Sequence, residues 1–537
     1  MCNTEECNHH QQKSLLTTPL IKKFSGGADE PAVAALAEAR SILGLAFPMA
    51  ATGLLLYLRS MVSMLFLGRL GRLPLAGGAL AIGFANITGY SVLSGLAMGM
   101  EPVCGQAFGA RRHALLRSAL RRTVLLLLLA SVPIAALWLA MHRTLLLFRQ
   151  DPDITAAAHS YILASLPDLL LQSFLHPIRI YLRTQSITLP LTAAAAAVLL
   201  LHLPVNYLLV SVLGLGIRGV AVASVVANSN LLIFLLLYVY FSGIFRRTDD
   251  DGSGDDETKA AERFGEWRSL LNLAIPSCIS VCLEWWWYEI MILLCGLLLD
   301  PKSAVASMGI LIQTTSLVYI FPSSLSFGVS TRVSNELGAD RPERARRAAE
   351  VGLSCGAAIG VAALGFTLAV RKVWGRMFTE DAAILELTTA ALLMVGMAEL
   401  GNCPQTAGCG VLRGSARPRA AANVNMGAFY GVGMPVAIGL AFWGGLDFRG
   451  MWFGMLAAQA ACAAMMLAAV RRTDWTMQAE RAQRLTGGGN GGAVNMINSD
   501  SDGDGNGAVC DKDRTVRSAT EEGDEKTNVD VVLVVNC

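Results

Sequence analysis

Charge is what this chain has least of. Of its 537 residues only 16% are Asp, Glu, Lys or Arg, against about 25% in ordinary soluble domains. Lys and Arg number 43 and Asp and Glu 41, a net charge of +2, while 53% of the residues are apolar. That balance excludes a chain disordered over its length and a nucleic-acid binder with a global basic field. Cysteine chemistry is missing as well. The sequence has no CxxC pair and no Cys/His group at zinc spacing, and Cys278, Cys282, Cys295, Cys355, Cys403, Cys409 and Cys462 lie inside apolar runs. There a thiol packs as a small apolar group, so neither a disulfide scaffold nor a metal framework is expected. No Ser/His/Asp order and no HExxH occurs either, and no cofactor is implied; the chain reads as not an enzyme. The stretch Gly105-Gln106-Ala107-Phe108-Gly109 lacks the Lys-Ser/Thr of a phosphate loop and is read as a turn that ends a helix.

What the chain does have is long apolar runs. A spanning helix needs about 20 mostly apolar residues. Runs of that kind lie near 41–63, 77–100, 122–141, 156–178, 189–210 and 218–241, and again near 270–298, 304–329, 350–370, 384–410, 420–442 and 450–470. The expected fold is an all-α membrane protein with twelve transmembrane helices in two pseudo-symmetric six-helix lobes. On this reading residues 1–40 are a cytosolic N-terminal segment, 41–241 the first lobe and 270–470 the second. Residues 242–269, with Asp249-Asp250-Asp251 and Asp255-Asp256-Glu257, are a flexible acidic linker. Residues 471–537, rich in Gly, Asn and Asp, are a disordered cytosolic tail. Arg and Lys favour the loops on the N-terminal side by about two to one, which places both termini in the cytosol.

The two halves repeat. Pro48 matches Pro276, 228 residues on. Tyr90, Ser94, Leu96, Gly99, Gly109 and Ala110 recur as Tyr319, Ser323, Leu325, Gly328, Gly338 and Ala339, at an offset of 229. Leu182-Arg183 recurs as Leu412-Arg413 at 230, and Pro204-Val205 and Arg218-Gly219 recur as Pro435-Val436 and Arg449-Gly450 at 231. A slow one-way drift is what small insertions produce. Because each half has an even number of spans, both enter the membrane in the same sense, with a substrate site between them near the midplane.

Leu75-Ala76-Gly77-Gly78-Ala79-Leu80, Gly105-Gln106-Ala107-Phe108-Gly109-Ala110, Cys282-Leu283-Glu284-Trp285-Trp286-Trp287-Tyr288-Glu289, Asn335-Glu336-Leu337-Gly338-Ala339 and Val411-Leu412-Arg413-Gly414-Ser415-Ala416-Arg417-Pro418 stand in these runs. Together they resemble the multidrug and toxic compound extrusion (MATE) family, in its plant DETOXIFICATION branch, over about residues 40–470. The resemblance implies a V-shaped pair of lobes and a secondary antiporter. Such a carrier exports small organic compounds (hormones, secondary metabolites or xenobiotics) in exchange for protons or Na⁺. Its partners are then the substrate, protons and the lipid bilayer, with the chain a monomer in the plasma membrane, a late endosome or the vacuole. A lipid flippase of the same superfamily and a membrane regulatory protein acting through its tail remain as alternatives.

An ionisable side chain at bilayer depth costs about 2.5–3.5 kcal/mol on insertion scales, so each marks a candidate site. The seventh run carries Glu284 and Glu289, about 140° apart around a helix. Glu284 shares its face with Tyr288, and Glu289 with Trp285. The resemblance implies a cation-coupling role for Glu284. It also implies an acid five residues before Val411-Leu412, where this chain has Thr406; Glu399, about two turns earlier, is the substitute. The expected proton-coupling residues are Glu284, Glu289 and Glu399, and the expected substrate contacts Trp285, Tyr288, Asn402 and Gln313. Asp168 and His176 in the fourth run are weaker candidates. Glu101 is expected to pair with Arg111 or Arg112.

Overall fold

The computed structural model describes residues 30–147, 150–244 and 259–487. Among them there is no strand, and twelve helices are long and apolar enough to cross a membrane. The first six spans are Ala32–Arg69, Arg72–Gly109, His113–Leu139, Pro152–Thr184, Leu189–Val212 and Gly216–Phe241. The second six are Trp267–Cys295, Pro301–Gly338, Pro342–Val370, Ala382–Gly414, Pro418–Trp443 and Asp447–Arg471. The side on which the first span begins is called the near side below, and the other the far side.

All twelve expected spans are present, and several run on past their apolar runs at the near side. The second reaches Gly109, the fourth Thr184, the eighth Gly338 and the tenth Gly414. Hydropathy misses these ends because they carry Glu101, Arg183, Arg332 and Arg413. The stretch Gly105–Gly109 is therefore helix rather than turn. Two further expectations change. The helix of the seventh span starts at Lys259, inside the segment expected as linker. The tail opens with a helix, Trp475–Leu485, whose first N–H groups at Thr476 and Met477 donate to the Asp474 carboxylate. The acidic stretch Asp249–Glu257 and the Gly/Asn/Asp-rich tail lie outside the described residues.

The repeat is written into the backbone. Arg111 and Asp340 take left-handed conformations at φ 59° and 55°, Ser186 and Ala416 at 64° and 57°, Gly214 and Gly445 at 64° and 67°, and Gly216 and Asp447 at 58° and 46°. These pairs stand 229, 230, 231 and 231 residues apart, the same drift as the sequence offsets. Helix starts repeat too. Asp151 accepts hydrogen bonds from the N–H groups of Asp153 and Ile154, and Asp381, 230 residues on, accepts from Ala383 and Ile384. Such N-caps satisfy donors that a helix start leaves unpaired.

Each half has its own apolar core. Leu67, Met100, Leu127 and Trp138 are fully buried among the first six spans, and Trp287, Phe429, Phe448 and Trp452 among the last six. In lipid, helices associate through close packing of small residues rather than through a hydrophobic drive. Gly352, Gly356 and Gly360, one turn apart, form such a stripe on the ninth span. A Cβ on Gly356 or Gly360 would press on the backbone of the tenth span at Cys403, Pro404 and Glu399. This stripe seats the tenth helix and fixes the height of Glu399.

Candidate functional site

The lobes meet along two seams. The first span packs on the eighth, from Ile42 against Gly328 to the Tyr57 hydroxyl, which donates to the Gln313 carbonyl at 3.4 Å. The second packs on the seventh, from Gly99 against Ala274 to the Trp286 indole N–H, which donates to the Ile87 carbonyl at 3.3 Å. At the near end the second and eighth spans cross so closely that Gly109 and Gly338 abut the backbone of Asn335 and Gln106.

That near end is locked by charge. Glu101 is fully buried, and it meets Arg183 of its own lobe and Arg413 of the other. Arg183 donates from Nη2 to Oε2, and Arg413 Nε stands 3.4 Å from Oε1. The expected partners Arg111 and Arg112 are not these; the second helix continues past Glu101 for two more turns and carries them off into the loop. The Arg183 guanidinium stacks 3.8 Å from the centre of the Phe327 ring in the opposite lobe, and Arg413 Nη1 donates to Met98 Sδ. Met98 and Phe327 are themselves a repeat pair, so each lobe's arginine rests on the same position of the other lobe. Arg332 adds a two-pronged ion pair to Glu38 at 2.8 and 3.0 Å. The helix Trp475–Leu485 ends against both lobes: Arg112 donates to the Thr486 carbonyl at 2.6 Å, and Gln483 donates to the Gly338 carbonyl at 3.1 Å.

In the second lobe Glu284 is half-buried and faces the Tyr319 hydroxyl, with Cys409 and Arg413 in its field. Tyr288, one turn further along the seventh span, is close enough to feel the charge of both Glu284 and Glu399. Glu399 is 3% exposed. Its Oε2 accepts from Asn402 Nδ2 at 2.9 Å and from the Cys403 thiol at 3.3 Å. Beside it is a cavity of about 10 Å³ lined by Tyr288, Thr315, Glu399, Asn402, Trp452 and Gln459 among others, the space one water needs. Glu284, Tyr288, Glu399 and Asn402 are thus brought together. Glu289 and Trp285 share a different face of the seventh helix; among the described residues no hydrogen bond or ion pair joins Glu289 to another side chain, and Trp285 is 40% exposed. The tryptophan run is divided, for Trp286 serves the seam and Trp287 packs in the core against Phe429 and Tyr430. Gln313 offers its carbonyl to the seam and has an exposed side chain.

The first lobe holds a different polar centre. Asp168 accepts from the Tyr90 hydroxyl at 2.7 Å, from Asn228 Nδ2 at 2.6 Å and from Gln172 Nε2 at 3.3 Å. Arg59 of the first span donates from Nη1 to Asn228 Oδ1 at 2.5 Å. Tyr90 and Tyr319 are a repeat pair, so the same tyrosine meets an aspartate in one lobe and a glutamate in the other. Sequence reasoning named Asp168 as a weak candidate and passed over Arg59, although an arginine inside an apolar run is the very signal used for the acids. Ser63 is within hydrogen-bond distance of His202 Nε2, at 2.9 Å, in the same lobe.

The MatE family profile matches residues 48–208 and 276–438, one stretch in each half. The chain belongs to the MATE family. Protein DETOXIFICATION 49 of Arabidopsis thaliana is 60% identical over 449 residues, which cover 83% of this chain and 88% of that one. Protein DETOXIFICATION 48 of the same organism is 58% identical over 451 residues, 84% of each. The crystal structure of the eukaryotic MATE transporter AtDTX14 superposes with a TM-score of 0.78 at 30% identity, over 84% of this chain and 100% of that one. A multidrug resistance MATE family transporter in an outward-facing conformation shares the fold at 16% identity, with a TM-score of 0.71 over 83% of this chain and 97% of that one. This MATE chain is a multi-pass integral membrane transporter of the DETOXIFICATION type and not an enzyme.

Proposed function

We propose that the chain is an efflux carrier that exchanges small organic compounds for protons by alternating access, with both termini in the cytosol and each monomer a complete carrier in the plasma membrane or an endomembrane. The observation that carries this reading is the pair of carboxylates in the second lobe, Glu284 and Glu399, with Tyr288 near both and a water-sized cavity that Tyr288 and Glu399 line together. No cation forms an ion pair with either among the described residues. A carboxylate buried without a cation gains by taking a proton, and the gain differs between a lobe face open to water and one closed. A proton can shift the balance between two lobe arrangements only through such a difference. Proton entry from the acidic side at Glu284 and transfer past Tyr288 toward Glu399 fit this arrangement, as do substrate contacts from Tyr288 and Asn402. Trp285 and Gln313 are further proposed contacts, and Glu289 a secondary acid.

The test is a pH gradient across proteoliposomes holding the full chain, followed with pyranine while a panel of small organic compounds is added one at a time. At least one compound collapses the gradient with the wild-type chain. Glu284→Gln abolishes that collapse and Glu289→Gln does less. A Glu284→Gln carrier that dissipates the gradient at the wild-type rate refutes the coupling assignment.

A further inference from the structure

The fourth and tenth spans are repeat partners, and each carries a polar stripe down one face. On the fourth span it reads Asp168, Gln172, His176, Arg179 and Arg183, all within about 80° of arc. On the tenth the equivalent positions are Ala398, Asn402, Thr406, Cys409 and Arg413. Since Arg183 and Arg413 both reach Glu101 at the junction of the lobes, the two stripes are walls of one cleft. They differ in charge. The second-lobe wall holds Glu284 and Glu399. The first-lobe wall holds Arg179, where its twin is Cys409, together with Arg59.

The two cations share a single carboxylate, that of Asp168. Arg179 makes no hydrogen bond or ion pair among the described residues, and its charged neighbours are Arg59, Asp168 and Arg183. Asp168 already accepts from three neutral donors. Arg59 spends one nitrogen on the Asn228 amide. Both side chains are half-buried, and none of their other guanidinium nitrogens is buried without a partner. Two guanidinium groups that repel each other and share one carboxylate leave a net positive charge at membrane depth, which is costly unless something anionic visits it. Planar guanidinium forks match a carboxylate in two-pronged geometry.

We propose that Arg59 and Arg179 form an anion-binding station in the first lobe, and that it receives the carboxylate of a small organic acid with an apolar body. This rests on the carrier reading above and names its substrate class. The anion then docks on one wall while protons occupy the other, and the two do not compete for one group.

The probe set is 1-naphthoate, its neutral amide and the cationic 1-naphthylmethylammonium. Each is titrated against the purified full-length protein in detergent, with no gradient, by thermal shift and tryptophan quenching. Naphthoate binds the wild-type chain more tightly than either congener. Arg179→Gln weakens naphthoate about tenfold, as loss of a charge-assisted contact does, and leaves the amide unchanged; Arg179→Lys restores part of the loss. Equal naphthoate binding by wild type and Arg179→Gln overturns the station, as does tighter binding of the cation. A short-chain phosphatidate that binds where naphthoate does not assigns the anion to lipid and overturns the organic-acid substrate. Naphthoate binding is read with no gradient, so a failure of proton coupling in proteoliposomes leaves this assignment standing and is told apart from it.

Discussion

Arg413 Nε and Glu101 Oε1 stand 3.4 Å apart although they belong to opposite lobes. Glu101 has no solvent exposure, and the Arg183 and Arg413 side chains are only 6% and 16% exposed. One carboxylate therefore serves two guanidinium groups, with a phenyl ring and a thioether closing the rest of the space. The repeat explains the geometry. Arg183 and Arg413 are symmetry mates, but Glu101 has Ser330 as its mate, so only one carboxylate is available at the centre and each lobe must come to it.

Glu101→Gln should weaken this junction selectively. Removing one partner of a buried pair costs about 3–5 kcal/mol, because the other charge is left uncompensated. When the lobes part at the near side, both arginines gain water, so the cost falls mainly on the closed arrangement. Faster hydrogen exchange is expected in the near-side loops at 110–112 and 339–341. Unchanged exchange in those loops would show that the ion pair does not hold the lobes together.

Gly338→Ala acts on the same junction by sterics. An interior Gly→Ala change usually stabilises a helix by about 0.5–1 kcal/mol. At Gly338 a Cβ would overlap the Gln106 backbone, whereas at Gly365 it would meet nothing within 4 Å. Gly365→Ala should hold or raise the melting temperature and Gly338→Ala should lower it. A rise for both would mean that the crossing of the second and eighth spans is looser than described.

The fold was legible because lipid imposes it: each span must be long, apolar and helical, and the repeat offset recurs in the left-handed turns residue for residue. Glu284 and Glu399 could be picked out as candidates because an acid in an apolar run stands out. What stayed hidden is pairing. Glu101 looked like a partner for the nearest arginines in sequence, yet its partners are 82 and 312 residues away. Nor does the sequence order of Trp285, Trp286 and Trp287 reveal that successive residues, 100° apart on a helix, enter three different environments. The cationic first-lobe wall escaped because Arg179 falls just past the apolar run at 156–178, while the helix runs on to Thr184 and carries it along.

Asp340→Gly tests the turn that joins the eighth and ninth spans. Asp340 holds φ 55° at the position equivalent to Arg111, and a left-handed non-glycine residue costs about 1–2 kcal/mol. Glycine removes most of that cost, so the melting temperature should rise. Asp447, at φ 46°, also accepts the Leu299 N–H at 3.2 Å, and Asp447→Gly should gain less because that bond is lost. A larger gain at Asp447 than at Asp340 would contradict the account.

Tyr288→Phe asks whether the two second-lobe acids act as one unit. The ring is kept, so stability should change by no more than about 1 kcal/mol. The hydroxyl near Glu284 and Glu399 is lost, and with it, on the proposed mechanism, the group through which a proton passes from one to the other. The rate at which an active compound collapses a pH gradient in proteoliposomes should fall about tenfold, a modest share of what positioned proton transfer contributes. The stronger test is the double variant. If Tyr288 works only by linking Glu284 to Glu399, then Tyr288→Phe adds nothing once Glu399→Gln has removed the far end, and the double variant runs at the rate of Glu399→Gln alone. Residues that act independently give multiplied losses instead. A double variant slower than Glu399→Gln by the full Tyr288→Phe factor would separate the two acids and leave Glu284 to couple protons without Glu399.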